Sequence, residues 1–415
     1  MTDRYPVDEV VTDRQGGWAG PRFGPALGVV RTLVSGGHRA VFVGGAVRDL
    51  LLGRPVGDVD VATDAGPDRV EELFDKTVAV GKQFGVIVVP VGGQQVEVAT
   101  FRQDRNYLDC RRPEGYVPAD EAGDVSRRDF TINTLVIDPL ADELVDHEGG
   151  LADLRAGLVR CVGEPARRFG EDHLRVLRGL RFAARLGFRL EEATFAAMRG
   201  HPLGGVSPER ILDELRKGLA DPGRRRWGEL LLEIDALPAC VPPAAPADAA
   251  RRAAWPPALG RLPANAPWTV ALAALAVVAG VEPASWRAWT EDWPFNRADR
   301  KRLRALLEET PAGYLAAREA RRRELAVTKL GDDLTLLWEA LEEAEALAAL
   351  AERRAAGRTS PERLLSGEDC RAAGLAGPAI GAALTECTAL QWEETILTRD
   401  EALAWLADRT DKTPG

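Results

Sequence analysis

Cysteine and histidine are both scarce in this chain. Among its 415 residues there are 5 cysteines and 4 histidines, and no two cysteines stand in CxxC spacing. So few and so scattered cysteines exclude a disulfide framework and a thiolate zinc site. A metal-dependent phosphohydrolase centre needs several more histidines than the chain has, so the pair Asp146 and His147 does not indicate one.

Long apolar runs are also missing. No stretch approaches the roughly 20 unbroken apolar residues that span a bilayer. Charged residues interrupt the first 20 positions, where a secretory signal would need an apolar segment. We therefore expect a cytoplasmic protein that does not bind membranes.

Lysine is the rare basic residue, since six of the 54 basic side chains are lysines and the rest are arginines. A single arginine is thus weak evidence for a site. The formal net charge of −10 generally opposes binding to nucleic acid, although a local basic groove stays compatible with it. Hydrophobic residues at 45% and charged residues at 28% indicate a globular chain, whose length suggests two to four domains.

The pattern of residues changes from mixed to helical along the chain. Short β-branched runs predict strands over 40–43, 59–62, 84–91, 95–101 and 131–138, and helical spacing predicts helices over 23–35, 47–52 and 68–74. Strand signals nearly vanish after residue 166. We predict an α+β fold with an α/β head over 1–160, a helical neck over 161–240, an irregular Pro- and Ala-rich connection over 241–268, and a helical body and tail over 269–415.

The densest motif lies near the N-terminus. Gly44 and Gly45 end a predicted strand and lead straight into a helix that carries Arg48, an arrangement that suits phosphate but is also an ordinary tight turn. Asp58 and Asp60 follow in a strand-like run, where a period of two places both carboxylates on one face. Such a pair suits Mg²⁺, and the alternative is a solvated strand edge.

A third acidic residue, Glu97, lies in an apolar run, where a charge needs a partner, a metal or an exposed face. Further along, Arg127 and Arg128 open a predicted strand that contains Asn133. This group suits triphosphate neutralisation and a ribose contact, or else a turn with satisfied polar caps.

A helical pattern follows in which Asp172, Arg175 and Arg178 step by three and so share one face. An Asp–Arg ion pair on a surface helix is the simpler interpretation.

Taken together and in this order, these motifs resemble the class II nucleotidyltransferases, which comprise the bacterial CCA-adding enzymes with their poly(A) polymerase and A-adding relatives. The resemblance runs from residue 41 to about 217. It includes Asp146 with Gly149 and Gly150, and the Ser-Pro-Glu-Arg-Ile segment that begins at Ser207. The departures are small, with Thr134 where alanine is usual and His147-Glu148 before the glycine pair.

The resemblance implies a template-independent transfer of C and A from CTP and ATP to the tRNA 3′ end, with no obligatory protein partner. Asp58 and Asp60 would bind Mg²⁺. Independently of the resemblance, the position of Glu97 in its apolar run predicts it as a third catalytic carboxylate beside them. The residues implied in nucleotide binding are Gly44, Gly45, Arg48, Arg128, Asp129, Asn133, Asp172, Arg175, Arg178 and Arg181. Cytosine and adenine both present an amine beside a ring acceptor, so a carboxylate at Asp172 with a guanidinium at Arg175 would admit them and reject uracil and guanine.

Other functions of the same family differ in features that the sequence displays. The segment 102–129 resembles the family's flexible loop at nearly full length, which disfavours an enzyme that adds only CC. The pI near 5.2 and the absence of a basic tail disfavour a poly(A) polymerase. An A-adding enzyme of a split system stays open, whereas a non-catalytic RNA-binding module is opposed by the intact pair Asp58 and Asp60.

Overall fold

The computed structural model describes residues 2–11, 17–104, 116–317, 319–355 and 361–411. The chain forms two compact units: Met1–Gly218 with Glu229–Cys240, and Leu219–Gly228 with Val241–Gly415. The finer domain boundaries after residues 160 and 268 stay predictions. The loop residues Tyr107, Asp109, Arg111 and Arg112 lie outside the described residues.

The first unit contains the sheet. Its strands are β1 (Asp3–Pro6), β2 (Ala40–Val43), β3 (Asp60–Thr63), β4 (Val78–Gly81), β5 (Val86–Val91), β6 (Gln94–Thr100), β7 (Arg102–Asp104), β8 (Tyr116–Pro118), β9 (Val136–Asp138), β10 (Glu143–Asp146), β11 (Leu158–Val159) and β12 (Arg189–Leu190). Eight of them form one sheet in the order β1-β10-β9-β2-β3-β6-β5-β4, while β7 pairs with β8 and β11 with β12. Within the large sheet β3 and β6 run parallel, and the other pairs are antiparallel.

In the described part of Met1–Gly218, ten helices begin. They are α1 (Val7–Val10), α2 (Gly24–Ser35), α3 (Gly45–Leu51), α4 (Pro67–Leu73), α5 (Glu121–Ser126), α6 (Gly150–Ala156), α7 (Pro165–Glu171), α8 (Leu174–Leu186), α9 (Glu192–Met198) and α10 (Pro208–Ala220). Short 3₁₀ turns cover Lys82–Phe84 and Thr131–Asn133.

The core of this unit lies on both faces of β2, all four of whose residues are buried. On one face Val41 and Val43 join a cluster with residues of β3, β9 and β10. On the other face Phe42 packs against Phe23, just before α2, with ring centroids 5.7 Å apart. Burial on both faces explains why β2 is an unbroken apolar run rather than an alternating one.

Most of the predicted elements in this unit are confirmed to within two residues, but three site segments differ from expectation. The strand predicted over 131–138 is present only as β9, because Thr131–Asn133 forms a 3₁₀ turn. Asp58 precedes β3 and is exposed, so strand alternation does not relate it to Asp60. Asp172 has extended backbone angles after α7 and is not part of α8, so it does not share a helix face with Arg175.

The rest of the described chain is helical. The helices are α11 (Arg224–Glu233), α12 (Leu237–Cys240), α13 (Ala249–Arg261), α14 (Trp268–Ala279), α15 (Pro283–Asp292), α16 (Arg297–Glu308), α17 (Pro311–Ala316), α18 (Glu319–Ala326), α19 (Lys329–Ala340), α20 (Ala344–Ala355), α21 (Gly367–Ala372), α22 (Pro378–Trp392) and α23 (Arg399–Asp411). Ten of the twelve residues of α14 are buried, and α13, α16 and α19 pack around it. None of the helices in the described ranges combines the length and apolarity needed to cross a bilayer.

The expectation of an irregular connection over 241–268 is wrong for its central part, which forms α13 although Pro256 and Pro257 lie inside the helix. Trp255 and Leu259 on this helix are completely buried. A side chain at Gly228 of α11 would come within 3.2 Å of Leu259 Cδ1. Tertiary packing of this closeness outweighs the hydrogen bonds that the two prolines remove.

Candidate active site

A glycine turn connects β2 to α3. Gly44 has φ +74° and ψ −134°, backbone angles that a residue with a Cβ rarely adopts, and α3 begins at the next residue. A Cβ at Gly44 would lie 3.3 Å from Nη1 of Arg128. The turn therefore exposes backbone directly to an arginine from a distant part of the sequence.

Strand register places an acidic residue beside this turn. Val43, the last residue of β2, is opposite Asp60, the first residue of β3. The parallel pairing of Val61 with Val98 puts Asp60 next to Glu97 on β6. Residues that are 16 and 37 positions apart in sequence thus meet at one edge of the sheet.

The electrostatic environment of Asp60 is that of a crowded acidic site. Burial raises the pKa of Asp60 to about 6, with further contributions from the charges of Glu97 and Asp58, while Arg128 lowers it. A carboxylate held among like charges gains free energy when a cation arrives. Asp58 and Asp60 together offer the hard oxygen ligands that Mg²⁺ takes alongside substrate phosphates.

Glu97 has a different status from the two aspartates. Its side chain is exposed on the polar face of β6, which alternates with the buried residues Val96 and Val98. Across the described parts of the chain, no three or more His, Cys, Asp or Glu side chains are grouped so as to hold a metal ion. Glu97 lies close enough for its charge to raise the pKa of Asp60, and its catalytic role stays a prediction.

Arg48 and Asn133 connect the glycine turn to the 3₁₀ turn. The buried Arg48 donates from Nη1 to Asn133 Oδ1 at 2.7 Å, and from Nε and Nη2 to Asp49 Oδ1 at 2.9 and 2.7 Å. Burial lowers the pKa of Arg48 from its ordinary value, although Asp49 opposes the shift. Arg128 also reaches this turn, with Nη1 3.4 Å from the Asn133 carbonyl oxygen.

Asp129 connects the same turn to α8. It accepts from Asn133 Nδ2 at 3.0 Å and from Arg178 at 2.8 and 2.7 Å. Although burial raises the pKa of Asp129, Arg178 and Asn133 lower it to about 2. Phe182 packs beneath, with the guanidinium carbons of Arg48, Arg178 and Arg181 at 5.2, 5.4 and 4.7 Å from its ring centroid.

The predicted pair of base-selecting residues has separate partners. Asp172 receives two hydrogen bonds from Arg210, at 3.1 and 2.7 Å. Arg175 is 6% exposed and donates to Glu171 Oε2 at 3.1 Å and to the Arg168 carbonyl oxygen at 2.8 Å. The prediction that Asp172 and Arg175 form an ion pair on a surface helix is therefore wrong.

The structure thus brings Gly44, Arg48, Arg128, Asp129, Asn133 and Arg178 into one connected group. Arg175 reaches the group through the Arg127 carbonyl oxygen at 3.2 Å. Arg181 adjoins the group through the Phe182 ring and through the buried Glu214, which accepts from Arg181 Nε at 2.6 Å and lies 3.7 Å from Arg178 Nη1.

Sequence reasoning did not assign a role to Asp124, Arg210 or Glu214. Asp124 precedes Arg127 and Arg128 by three and four residues, a spacing that reveals the contacts once 121–126 is recognised as a helix. Arg210 and Glu214 approach their partners from α10, more than 30 residues away. Arg210 belongs to the Ser-Pro-Glu-Arg-Ile segment that the resemblance includes, but nothing in the local spacing indicates its contact with Asp172, and no motif indicates Glu214.

Comparison with known proteins shows the same architecture elsewhere. A family model of the poly A polymerase head domain matches residues 40–160, and a model of the probable RNA and SrmB-binding site of polymerase A matches residues 187–247. The chain is 46% identical over 199 residues to the CCA-adding enzyme of Bacillus pumilus, and 47% identical over 206 residues to that of Geobacillus thermodenitrificans. These alignments cover 47% and 49% of this chain, and 49% and 50% of the relatives, so it matches about half the length of each curated relative.

Solved structures match over nearly the whole chain. The crystal structure of the Bacillus stearothermophilus CCA-adding enzyme in complex with CTP is 30% identical, with a TM-score of 0.74 over 94% of this chain and 98% of that one. The Thermotoga maritima CCA-adding enzyme complexed with tRNA is similar in fold, at 21% identity and a TM-score of 0.64, over 99% of this chain and all of that one.

Proposed function

Because the chain belongs to the class II tRNA nucleotidyltransferases, the family of the bacterial CCA-adding enzymes and poly(A) polymerases, we propose that it adds C and A to the tRNA 3′ end. The substrates are CTP, ATP and a tRNA that lacks part or all of its terminal CCA. The tRNA substrate implies a cytoplasmic location. The observation that carries the proposal is the register of β2 and β3, with Asp60 beside the glycine turn that Arg128 overlies.

In the proposed reaction the tRNA 3′-hydroxyl oxygen attacks the α-phosphorus of the nucleotide. A new phosphodiester bond forms, the bond between the α-phosphorus and the bridging oxygen breaks, and pyrophosphate leaves with that bond's electron pair. The hydroxyl proton passes to solvent or to a nearby carboxylate. Positioning and charge stabilisation supply most of the catalysis in phosphoryl and nucleotidyl transfer.

Asp58 and Asp60 are the residues that would hold Mg²⁺. When bound there, the ion supplies charge stabilisation at the α-phosphate and favours the ionised 3′-hydroxyl. The donor set fits such an ion, since it consists of two carboxylates, and burial together with the charges of Glu97 and Asp58 raises the pKa of Asp60, which a bound cation would lower again. Arg48 and Arg128 would face the triphosphate, with Asp129 and Asn133 at the sugar.

Base selection falls to Asp172 and Arg175. A carboxylate has about four acceptor positions, of which Arg210 and the Leu174 amide occupy three, so Asp172 can still accept from the amine of cytosine or adenine. A carbonyl in the same place, as in uracil or guanine, would meet it acceptor to acceptor. The contact with Arg210 would hold the carboxylate in one orientation, which selectivity of this kind requires.

Single-nucleotide incorporation tests the proposal directly. Purified protein is given tRNA without CCA, or tRNA ending in CC, together with Mg²⁺ and one labelled nucleoside triphosphate at a time. We expect C on the first tRNA and A on the second, and no incorporation by an Asp60→Ala variant. Addition of A alone would identify an A-adding enzyme of a split system, and long A tails on any RNA would identify a poly(A) polymerase. No incorporation of any nucleotide by the wild-type protein contradicts the proposal.

A further inference from the structure

Asp124 on α5 is a buried carboxylate, 1% exposed, that no step of the proposed reaction uses. Its Oδ1 accepts from Arg127 Nε and Nη2, at 3.0 and 2.7 Å. Its Oδ2 accepts from Arg128 Nη2 at 3.0 Å. One carboxylate therefore divides its two oxygens between two neighbouring arginines, each of which is mostly buried.

The contact with Arg128 determines where that guanidinium lies. In the described part of the chain Asp124 is the carboxylate that pairs with Arg128. The Arg128 guanidinium also donates from Nη1 to the Asn133 carbonyl oxygen, over a long distance of 3.4 Å. Its Nε is buried and has no hydrogen-bond partner among the described residues. The side chain that borders Gly44 is thus anchored through one strong, charge-assisted bond.

Asp124 is itself held from a second direction. Its Oδ1 also accepts from the backbone amide of Arg102, the first residue of β7, at 3.3 Å. The helix packs closely on the β7–β8 pair, since a Cβ at Gly123 would lie 3.0 Å from both Ala119 Cβ and Gln103 Nε2. Burial raises the pKa of Asp124, but Arg128 and Arg127 outweigh it and keep the pKa below its ordinary value. The carboxylate is therefore ionised and fixed at neutral pH.

We propose that Asp124 is a positioning residue for nucleotide binding, which holds the Arg128 guanidinium beside Gly44 in readiness for the triphosphate. This inference rests on the proposed function, because it assigns Arg128 to the nucleotide. Asp124 touches no substrate in this role. Because Asp124 already orders the Arg128 side chain in the free protein, nucleotide binding does not have to meet the conformational entropy cost of ordering it.

The test is Asp124→Asn, which keeps the size of the side chain and removes its charge. We expect KM for CTP and ATP to rise about tenfold with kcat little changed, because a charge-assisted bond becomes a weak one. Asp138→Asn is the matched control. Asp138 is also buried and pairs with an arginine, Arg39, but it lies at the opposite end of β2 from Gly44.

A double variant separates positioning from a general loss of structure. If Asp124 acts through Arg128, then adding Asp124→Asn to Arg128→Ala should raise KM no further than Arg128→Ala alone. If Asp124 had only a structural role, each variant that carries Asp124→Asn would melt at a lower temperature, and Asp124→Asn alone would leave KM unchanged. Unchanged KM in Asp124→Asn, or a further tenfold rise in the double variant, overturns the inference.

Failure of the two proposals is distinguishable in the same assay. If the wild-type protein incorporates no nucleotide, the proposed function fails and takes this inference with it. If the wild type is active and Asp124→Asn matches it, only the inference fails. Should Asp124→Asn not fold, as judged by circular dichroism, Asp124→Glu replaces it: this variant keeps the charge but moves it by one methylene, so KM should again rise, and an unchanged KM overturns the inference.

Discussion

Replacing Asp60 by asparagine should make the protein more stable and, at the same time, inactive. Asp60 is partly buried next to Glu97, and the pKa of its carboxyl is about 6 instead of the ordinary 3.8, because of burial first and then the charges of Glu97 and Asp58. Ionisation of Asp60 is therefore less favourable in the folded chain than in the unfolded one. The proposed catalytic site carries a cost in stability.

The size of the effect follows from the pKa difference. A change from 3.8 to about 6 corresponds to at most about 3 kcal/mol of unfolding free energy. Because the pKa of Asp60 is higher in the folded chain, the folded chain holds the proton more tightly than the unfolded chain does. The resulting stabilisation is complete below pH 3.8 and is lost as the pH rises through about 6. The asparagine variant should hence exceed the wild type in stability at pH 8, and the advantage should vanish near pH 4.

Thermal melting in EDTA, repeated from pH 4 to pH 8, measures this difference without bound metal. Asp58→Asn is the matched control, because Asp58 is exposed and its charge is the smallest of the causes that shift the pKa of Asp60. Both variants should lose nucleotide incorporation, but Asp60→Asn should gain much more melting temperature at pH 8 than Asp58→Asn. Adding Mg²⁺ in place of EDTA should then raise the melting temperature of the wild type and leave Asp60→Asn unchanged.

Two results would refute this reasoning. One is an Asp60→Asn protein that melts at or below the wild-type temperature at pH 8 in EDTA. The other is a gain of the same size at pH 4 and pH 8, which would mean that the asparagine packs better and that the charge is irrelevant.

Three other predictions concern the same unit. Gly150→Ala places a Cβ 2.2 Å from the Thr131 carbonyl oxygen and should cost about 1–3 kcal/mol of stability, whereas Gly170→Ala meets nothing within 4 Å and should leave the melting temperature unchanged or higher. Although burial raises it, the pKa of Asp129 is lowered to about 2 by its partners, so its charge contributes about 2 kcal/mol above pH 3.8 that is lost as the pH falls toward 2. Asp129→Asn should accordingly melt with a flatter acid dependence than the wild type. Asp172→Ala should lower the kcat/KM ratio of CTP over UTP by roughly tenfold or more, and an unchanged ratio with an unchanged melting curve contradicts the role in base selection.

Local patterns in the sequence determined which chemistry the chain carries. The glycine pair before a helix, the two aspartates and the arginine-rich segments are each recognisable over a few residues. The strand β2 and the helix α2 are equally local, because an apolar run and a helical period need no distant partner to be seen. The order of these motifs was sufficient to indicate the family.

Tertiary structure alone decided which of these residues meet. The register of β3 against β2 and β6 places Asp60 beside both the glycine turn and Glu97, and register depends on packing across the whole sheet. The bond of Asp172 to Arg210 likewise joins two segments 38 residues apart. Neither contact leaves a trace in local spacing.

The same physical reason explains the segments that sequence reasoning misjudged. Thr131–Asn133 begins with two β-branched residues, as a strand often does, but its backbone forms a 3₁₀ turn in which Asn133 bonds to Arg48 and Asp129. The helix α13 contains two prolines, yet the burial of Trp255 and its neighbours stabilises the helical conformation. Local preferences amount to about 1 kcal/mol per residue, or about 3 for proline, and long-range packing and buried polar contacts exceed them where many act together.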